Sequence, residues 1–93
     1  MPYVESDKRL YLYNIIIQNK SENTLNDIDC EITFKKGYIE KSEVRYRKKI
    51  TPRVINHKQY FLKVKNLKPK EKFTITLFST SDLDDESSIK VYL

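Results

Sequence analysis

The sequence predicts an all-β fold, an antiparallel sandwich of about seven short strands, and three observations carry that expectation. Apolar residues alternate with polar ones in several runs, most plainly Ile28, Cys30, Ile32 and Phe34 against Asp27, Asp29, Glu31 and Thr33. Turn-forming clusters separate those runs at sandwich-like spacing. No stretch shows a convincing 3.6-residue apolar period. Residues 67–77 contain one module of such a sandwich: an anchor, a corner and a half-buried strand. Leu67 closes one apolar run, Pro69 fixes a turn and removes a backbone donor, and Phe73, Ile75 and Leu77 then alternate with Lys72, Thr74 and Thr76.

In chain order, residues 1–8 are polar and read as a loosely ordered lead-in. Residues 10–18 are rich in β-branched and aromatic side chains and apolar on both parities except at Asn14, the pattern of a central strand. Residues 19–26 have turn composition, with Leu25 the one side chain expected to tuck in. The strand at 28–34 follows, its acidic face in water. Gly37, the only glycine, is the natural site for a positive φ angle in the next turn. Residues 38–50 are less regular: Glu40-Lys41-Ser42 interrupts a pattern that resumes at Val44, Tyr46 and Ile50, fitting one bent strand or two short ones. Pro52 excludes a central strand there, so Val54-Ile55 reads as a short edge piece before a polar corner at 56–58. Tyr60, Leu62 and Val64 then alternate with Phe61, Lys63 and Lys65. After the corner at 67–77, residues 79–88 form an acidic loop, and Ile89, Val91 and Leu93 end the chain as an alternating strand.

At 93 residues this is a single domain spanning 1–93. It can bury only roughly 60–65% of its unfolded surface, too little for a deep cleft between two lobes. Cys30 is the only cysteine, so no internal disulfide forms and stability must come from the core. A lone thiol suits either a reducing cytosol or a bridge-free surface domain, which leaves the compartment open. No apolar run reaches the roughly 18–20 residues needed to cross a bilayer, and the N-terminus lacks a basic-then-apolar signal pattern, so membrane insertion of this segment is not expected.

A strand ending in Ile-Gln-Asn-Lys-Ser is followed by a polar loop and then by the alternating Ile-Asp-Cys-Glu-Ile-Thr-Phe. Later comes Val-Lys-Asn-Leu-Lys-Pro-Lys-Glu-Lys-Phe-Thr-Ile-Thr-Leu. This arrangement resembles the bacterial and archaeal immunoglobulin-like domains of the CARDB type. In that family an Asn-x-Ser/Gly element follows an early strand, and a Leu-x-Pro-Gly-Glu corner precedes a late one. The corner here is Leu67-Lys68-Pro69-Lys70-Glu71, with Lys70 where the family usually has glycine. The resemblance covers roughly residues 10–93 and implies an immunoglobulin-like sandwich with a non-catalytic adhesion, spacer or interaction role.

Charge is distributed unevenly. Residues 35–72 hold 14 Lys/Arg against three Glu (+11), the remainder holds four against ten (−6), and the sum is the net +5. Arg45, Arg47 and Lys49 share one parity in a predicted strand, and Lys63 and Lys65 share a face in another, with Tyr46, Tyr60 and Phe61 close in sequence. If the two strands are neighbours, Arg45, Arg47, Lys49, Tyr60, Lys63 and Lys65 form a basic patch for an anionic partner. An acidic protein surface is favoured over nucleic acid, because no recognised nucleic-acid motif is present. The competing reading is a solvated lysine face that protects strand edges.

No catalytic set, metal site or cofactor motif is expected. Cys30 falls on the apolar parity of its strand and reads as a small buried hydrophobe. His57 is the only histidine and lies in a polar corner without a partner at metal-ligand spacing. A Cys30/His57 dyad would have to join a core face to a loop. Residues 82–86 cluster carboxylates but lack the glycine and spacing of a calcium loop, and read as a solvated acidic loop. Asn19-Lys20-Ser21 fits a glycosylation acceptor, a pattern short enough to arise by chance. The sequence therefore predicts a binding or spacer module rather than an enzyme, with a nucleic-acid or polyanion binder as the alternative.

Overall fold

Alternation along the chain becomes seven strands in the computed structural model, which describes residues 10–80 and 88–93. They are β1 (Tyr11–Gln18), β2 (Leu25–Thr33), β3 (Ile39–Arg45), β4 (Arg53–Ile55), β5 (Gln59–Leu67), β6 (Lys72–Ser79) and β7 (Ser88–Tyr92). A three-stranded sheet has the order β1-β6-β3, a four-stranded sheet the order β4-β5-β2-β7, and every pairing is antiparallel. The molecule is an all-β sandwich. No helix among the described residues is long and apolar enough to cross a membrane.

The period-two residues build the core. Ile28, Cys30, Ile32 and Phe34 from the β2 run, Tyr60, Leu62, Val64 and Leu67 from β5, and Phe73, Ile75 and Leu77 from β6 are each at most 2% exposed. The cross-strand registers Cys30↔Leu62 and Ile32↔Tyr60 put these side chains on one face, since directly opposed antiparallel residues point the same way. Tyr13 packs edge-on to Phe34 and Tyr46 edge-on to Phe73, at centroid separations of 6.4 and 6.3 Å.

Two expectations need correction, and the open reading of residues 38–50 is resolved. β1 is an edge strand, not a central one: among the described residues it pairs only with β6, and Leu12 and Ile16 on its outer parity are 56% and 59% exposed. Ile89 and Val91 stand opposite Ile32 and Cys30, on the core-facing side of β2, yet at 45% and 41% exposed they are not core residues; β7 is the border strand of its sheet. Leu93 is exposed beyond the end of β7. The irregular 38–50 segment gives one strand, β3, with a register shift between Ile39 and Lys41, and leaves strand geometry after Arg45. The lead-in at 1–8 and the acidic cluster at 82–86 lie outside the described residues.

The turns are specified by backbone geometry. Gly37 has the expected positive φ of 77°. Asn56 and His57, at 53° and 57°, are the central residues of the turn between β4 and β5, in which Lys58 N–H donates to the Ile55 carbonyl at 3.0 Å and Ile55 pairs with Gln59. Lys70 takes φ 68°, a left-handed conformation that costs any residue with a Cβ.

What holds Lys70 there is Asn19, only 1% exposed. The Asn19 side-chain amide donates to the carbonyls of Leu67 and Asn23, both at 2.8 Å, and its Oδ1 accepts from Ser21 N–H (2.9 Å) and Ser21 Oγ (2.6 Å). Its backbone N–H donates to the Glu71 carbonyl at 2.9 Å, and its carbonyl accepts from Lys70 N–H at 2.8 Å. One residue thus ties the β1–β2 turn to the β5–β6 corner and links the two sheets at that end.

Asn19→Ala strands the Leu67 and Asn23 carbonyls and is expected to cost about 2–4 kcal/mol. Asn19→Asp, which keeps the shape but sets a carboxylate against two carbonyls, should be comparably destabilised in urea unfolding. Lys70→Gly keeps the backbone bond to Asn19 and relieves the left-handed penalty, so the same measurement should show a gain of about 1 kcal/mol.

Candidate functional site

The polypeptide after β3 decides where the positive charge goes. Tyr46 is partly buried against the core, and its hydroxyl donates to the Asn66 carbonyl at the end of β5. Arg47 lies over the Tyr46 ring, 5.1 Å from its centroid, and donates through Nε to Glu71 Oε2 at 2.6 Å and through Nη2 to Asn66 Oδ1. Glu71 Oε1 accepts from Lys68 N–H at 3.0 Å. That backbone bond, reinforced by the guanidinium, holds the Glu71 carboxyl below its ordinary value of 4.5. Arg47 is therefore a structural clamp between the β3–β4 connection and the β5–β6 corner.

Beyond the clamp the connection runs past the end of β5. Lys48, Lys49 and Ile50 meet Lys63, Lys65 and Asn66 around a recess that Tyr46 also lines. The four ammonium groups extend from exposed residues, while Ile50 packs against the core. Lys63 has Asp29 as a loose partner at 3.9 Å, an exposed pair of little energetic weight. Among the described residues no carboxylate pairs with Lys48, Lys49 or Lys65. Uncompensated cations beside an apolar lining attract an anion and then desolvate part of it.

Of the six residues predicted for a basic patch, Lys49, Lys63 and Lys65 come together here. β3 and β5 are not neighbours, since β3 pairs with β6 in one sheet and β5 with β2 and β4 in the other. Arg45 consequently sits on the outer face of the three-stranded sheet, beside Glu43, Thr74 and Thr76. Arg47 is held by Glu71, and neither it nor Lys49 lies in a strand. Tyr60 is no part of the surface: the residue is 0% exposed, because it occupies the inward parity of β5. Its hydroxyl is buried near Ser42 without a hydrogen bond of normal geometry. Lys48, Ile50 and Asn66 were missed by a parity argument because only the path of an irregular connection places them; the run Arg47-Lys48-Lys49 was the available signal.

The remaining candidates resolve simply. Cys30 is buried at mid-strand opposite Leu62, while His57 lies in the turn that precedes β5, five residues before Leu62. Burial, aided by the charge of Asp29, pushes the Cys30 thiol up to about 11. Among the described residues no three His, Cys, Asp or Glu side chains gather as metal ligands would. The Asn19 amide is consumed by the turn it organises, so the Asn19-Lys20-Ser21 match has a structural role.

The fold and its surface define a small all-β sandwich that carries a basic recess. No family model matches the chain, and neither a curated protein nor a solved structure matches it.

Burial raises Tyr60 as well, to about 12. Both groups are neutral when protonated, so the fold favours the protonated form. Stability is full below the unfolded values of 9.0 and 10.0 and is lost as pH rises towards about 11 and 12. Thermal melts should fall across that alkaline window, and Cys30→Ala together with Tyr60→Phe should flatten the fall. In native protein a thiol reagent should leave Cys30 unmodified until denaturant is added.

Proposed function

We propose that this chain is a non-catalytic, immunoglobulin-like interaction module that engages an acidic segment of a protein partner through the recess at Lys48, Lys49, Lys63 and Lys65. The observation that carries the reading is the meeting of four lysines from two separate segments around Tyr46 and Ile50, with three of them uncompensated among the described residues. Elsewhere among the described residues Lys41 pairs with Glu43 at 3.5 Å and Arg47 with Glu71 at 2.6 Å. Nucleic acid is the weaker alternative. Stacking on single strands needs exposed aromatic faces beside the cations, but Tyr60 is buried and the Tyr46 ring is covered by Arg47.

Three features support the CARDB-like reading. The Asn-x-Ser element performs a defined task through Asn19, and Lys70 takes the backbone conformation that glycine favours at the position where that family usually has glycine. The adjacencies β4-β5-β2 and β6-β3 are those of strands D-E-B and F-C in an immunoglobulin sandwich numbered from its first strand. The first and last strands occupy each other's edges relative to that order. A rigid sandwich of this kind contributes position, while long-range charge contributes encounter rate and selectivity.

An acidic peptide, such as a Glu/Asp-rich synthetic segment, is expected to shift NMR resonances of residues 46–50 and 63–66 and to bind more weakly as salt rises. Lys49→Glu with Lys65→Glu should reduce affinity by about tenfold or more without altering the melting curve. Unchanged affinity in that variant, or stronger binding of a single-stranded oligonucleotide than of the peptide, overturns the reading.

A further inference from the structure

The borders of the two sheets are not alike. β4 is only three residues long and follows Pro52. β3 carries Glu40, Lys41, Glu43 and Arg45 and has a register shift near its start. Short length, alternating charge and irregular register are the means by which sheet borders avoid pairing with other chains. β1 has none of them. Its eight residues, Tyr-Leu-Tyr-Asn-Ile-Ile-Ile-Gln, include no charge, proline or glycine, and among the described residues it pairs on one side only. On its outer parity Leu12 and Ile16 are 56% and 59% exposed, with Phe78 opposite Leu12 extending the apolar strip onto β6.

We propose that β1 pairs antiparallel with β1 of a second copy of this chain, with Asn14 on the two-fold axis. Directly opposed residues in an antiparallel pair share a face, so the register must match parity with parity. In β1 the odd residues Tyr13, Ile15 and Ile17 face the core, and the even ones face out. Centring on Asn14 sets Leu12 opposite the partner's Ile16 and Ile16 opposite the partner's Leu12, which makes one continuous apolar strip. Asn14 then faces its own copy. Its Oδ1 already accepts from Thr76 Oγ1 at 2.8 Å, which leaves the amide N–H groups to donate across the axis. The neighbouring register, centred on Ile15, opposes Leu12 with Gln18 and Asn14 with Ile16, and so sets apolar groups against polar ones.

A second copy suits this edge better than the acidic partner of the recess does. Two chains of net charge +5 repel, and an uncharged border is where they can approach at least cost. β1 itself carries no cation for an acidic segment; Arg45 shares the outer groove with Leu12, Asn14 and Ile16 but stands two strands away on β3, beside Glu43. The seven β1 residues paired in this register, 11–17, extend about 24 Å. An edge of that length buries less than the roughly 1,200 Å² at which standard interfaces begin. The dimer is therefore reversible and concentration-dependent, and joins two three-stranded sheets into one of six.

Sedimentation velocity over a concentration series is expected to show monomer and dimer in exchange. Ile16→Lys should abolish the dimer while leaving circular dichroism and the melting curve unchanged, because the side chain it replaces is exposed. Asn14→Cys should form a symmetric disulfide dimer on mild oxidation, with Glu43→Cys, on the opposite border, as the uncrosslinked control; buried Cys30 does not compete. A chain monomeric at every concentration, a dimer that survives Ile16→Lys, or equal cross-linking at Glu43→Cys overturns the proposal. So does a monomer whose β1 amides resist hydrogen exchange, which would assign the edge to residues 1–9 of the same chain.

Discussion

The side chain of Asn19 is the constraint on which the arrangement of the two sheets depends. Buried amides are costly unless every donor and acceptor is used, and this one uses all of them locally: two carbonyls from different turns below it, and Ser21 above. Because its own backbone also bonds to Lys70 and Glu71, the β1–β2 turn and the β5–β6 corner cannot move independently. That corner in turn sets Glu71, which fixes Arg47, and Arg47 fixes the path of the connection from β3 to β4. A hydrogen-bond network at one end of the sandwich thereby determines where the lysines of residues 48–49 emerge.

The consequence for the surface is a division of labour among like residues. Arg47 and Lys49 differ by two positions in an apparently uniform basic run. One has its charge neutralised at 2.6 Å, and the other projects into a recess without a counter-charge. Arg45, two positions earlier again, faces the opposite side of the molecule. Net charge alone describes none of this; position within the connection does.

The sheet borders show a similar division. The β3 and β4 borders carry charges or are very short, whereas β1 and β7 present inward or outward apolar side chains that the rest of the described molecule leaves partly uncovered. Ile89 and Val91 have the parity of core residues without the burial of core residues, on a border strand of the four-stranded sheet.

Period-two alternation determined by itself the all-β class, the strand ranges near 28–34, 60–65 and 73–77, and the identity of the inner residues, since a pleated chain has only two faces and one must be apolar. Gly37 as a left-handed turn residue was equally legible, for steric reasons. Alternation could not say which strands are neighbours, and so it placed Arg45 with Lys63 and counted Tyr60 on the surface despite its inward parity beside Leu62 and Val64. It could not place β1 at a border either, because a strand apolar on both faces fits a sheet's centre as well as an uncovered edge. Nor could it anticipate Asp27, whose φ of 54° breaks the alternation and lets both Leu25 and Ile28 turn inward three positions apart. Those outcomes depend on long-range pairing and on turn geometry at Asn19 and Lys70. They belong to the tertiary structure because the groups that decide them meet only after the chain has folded.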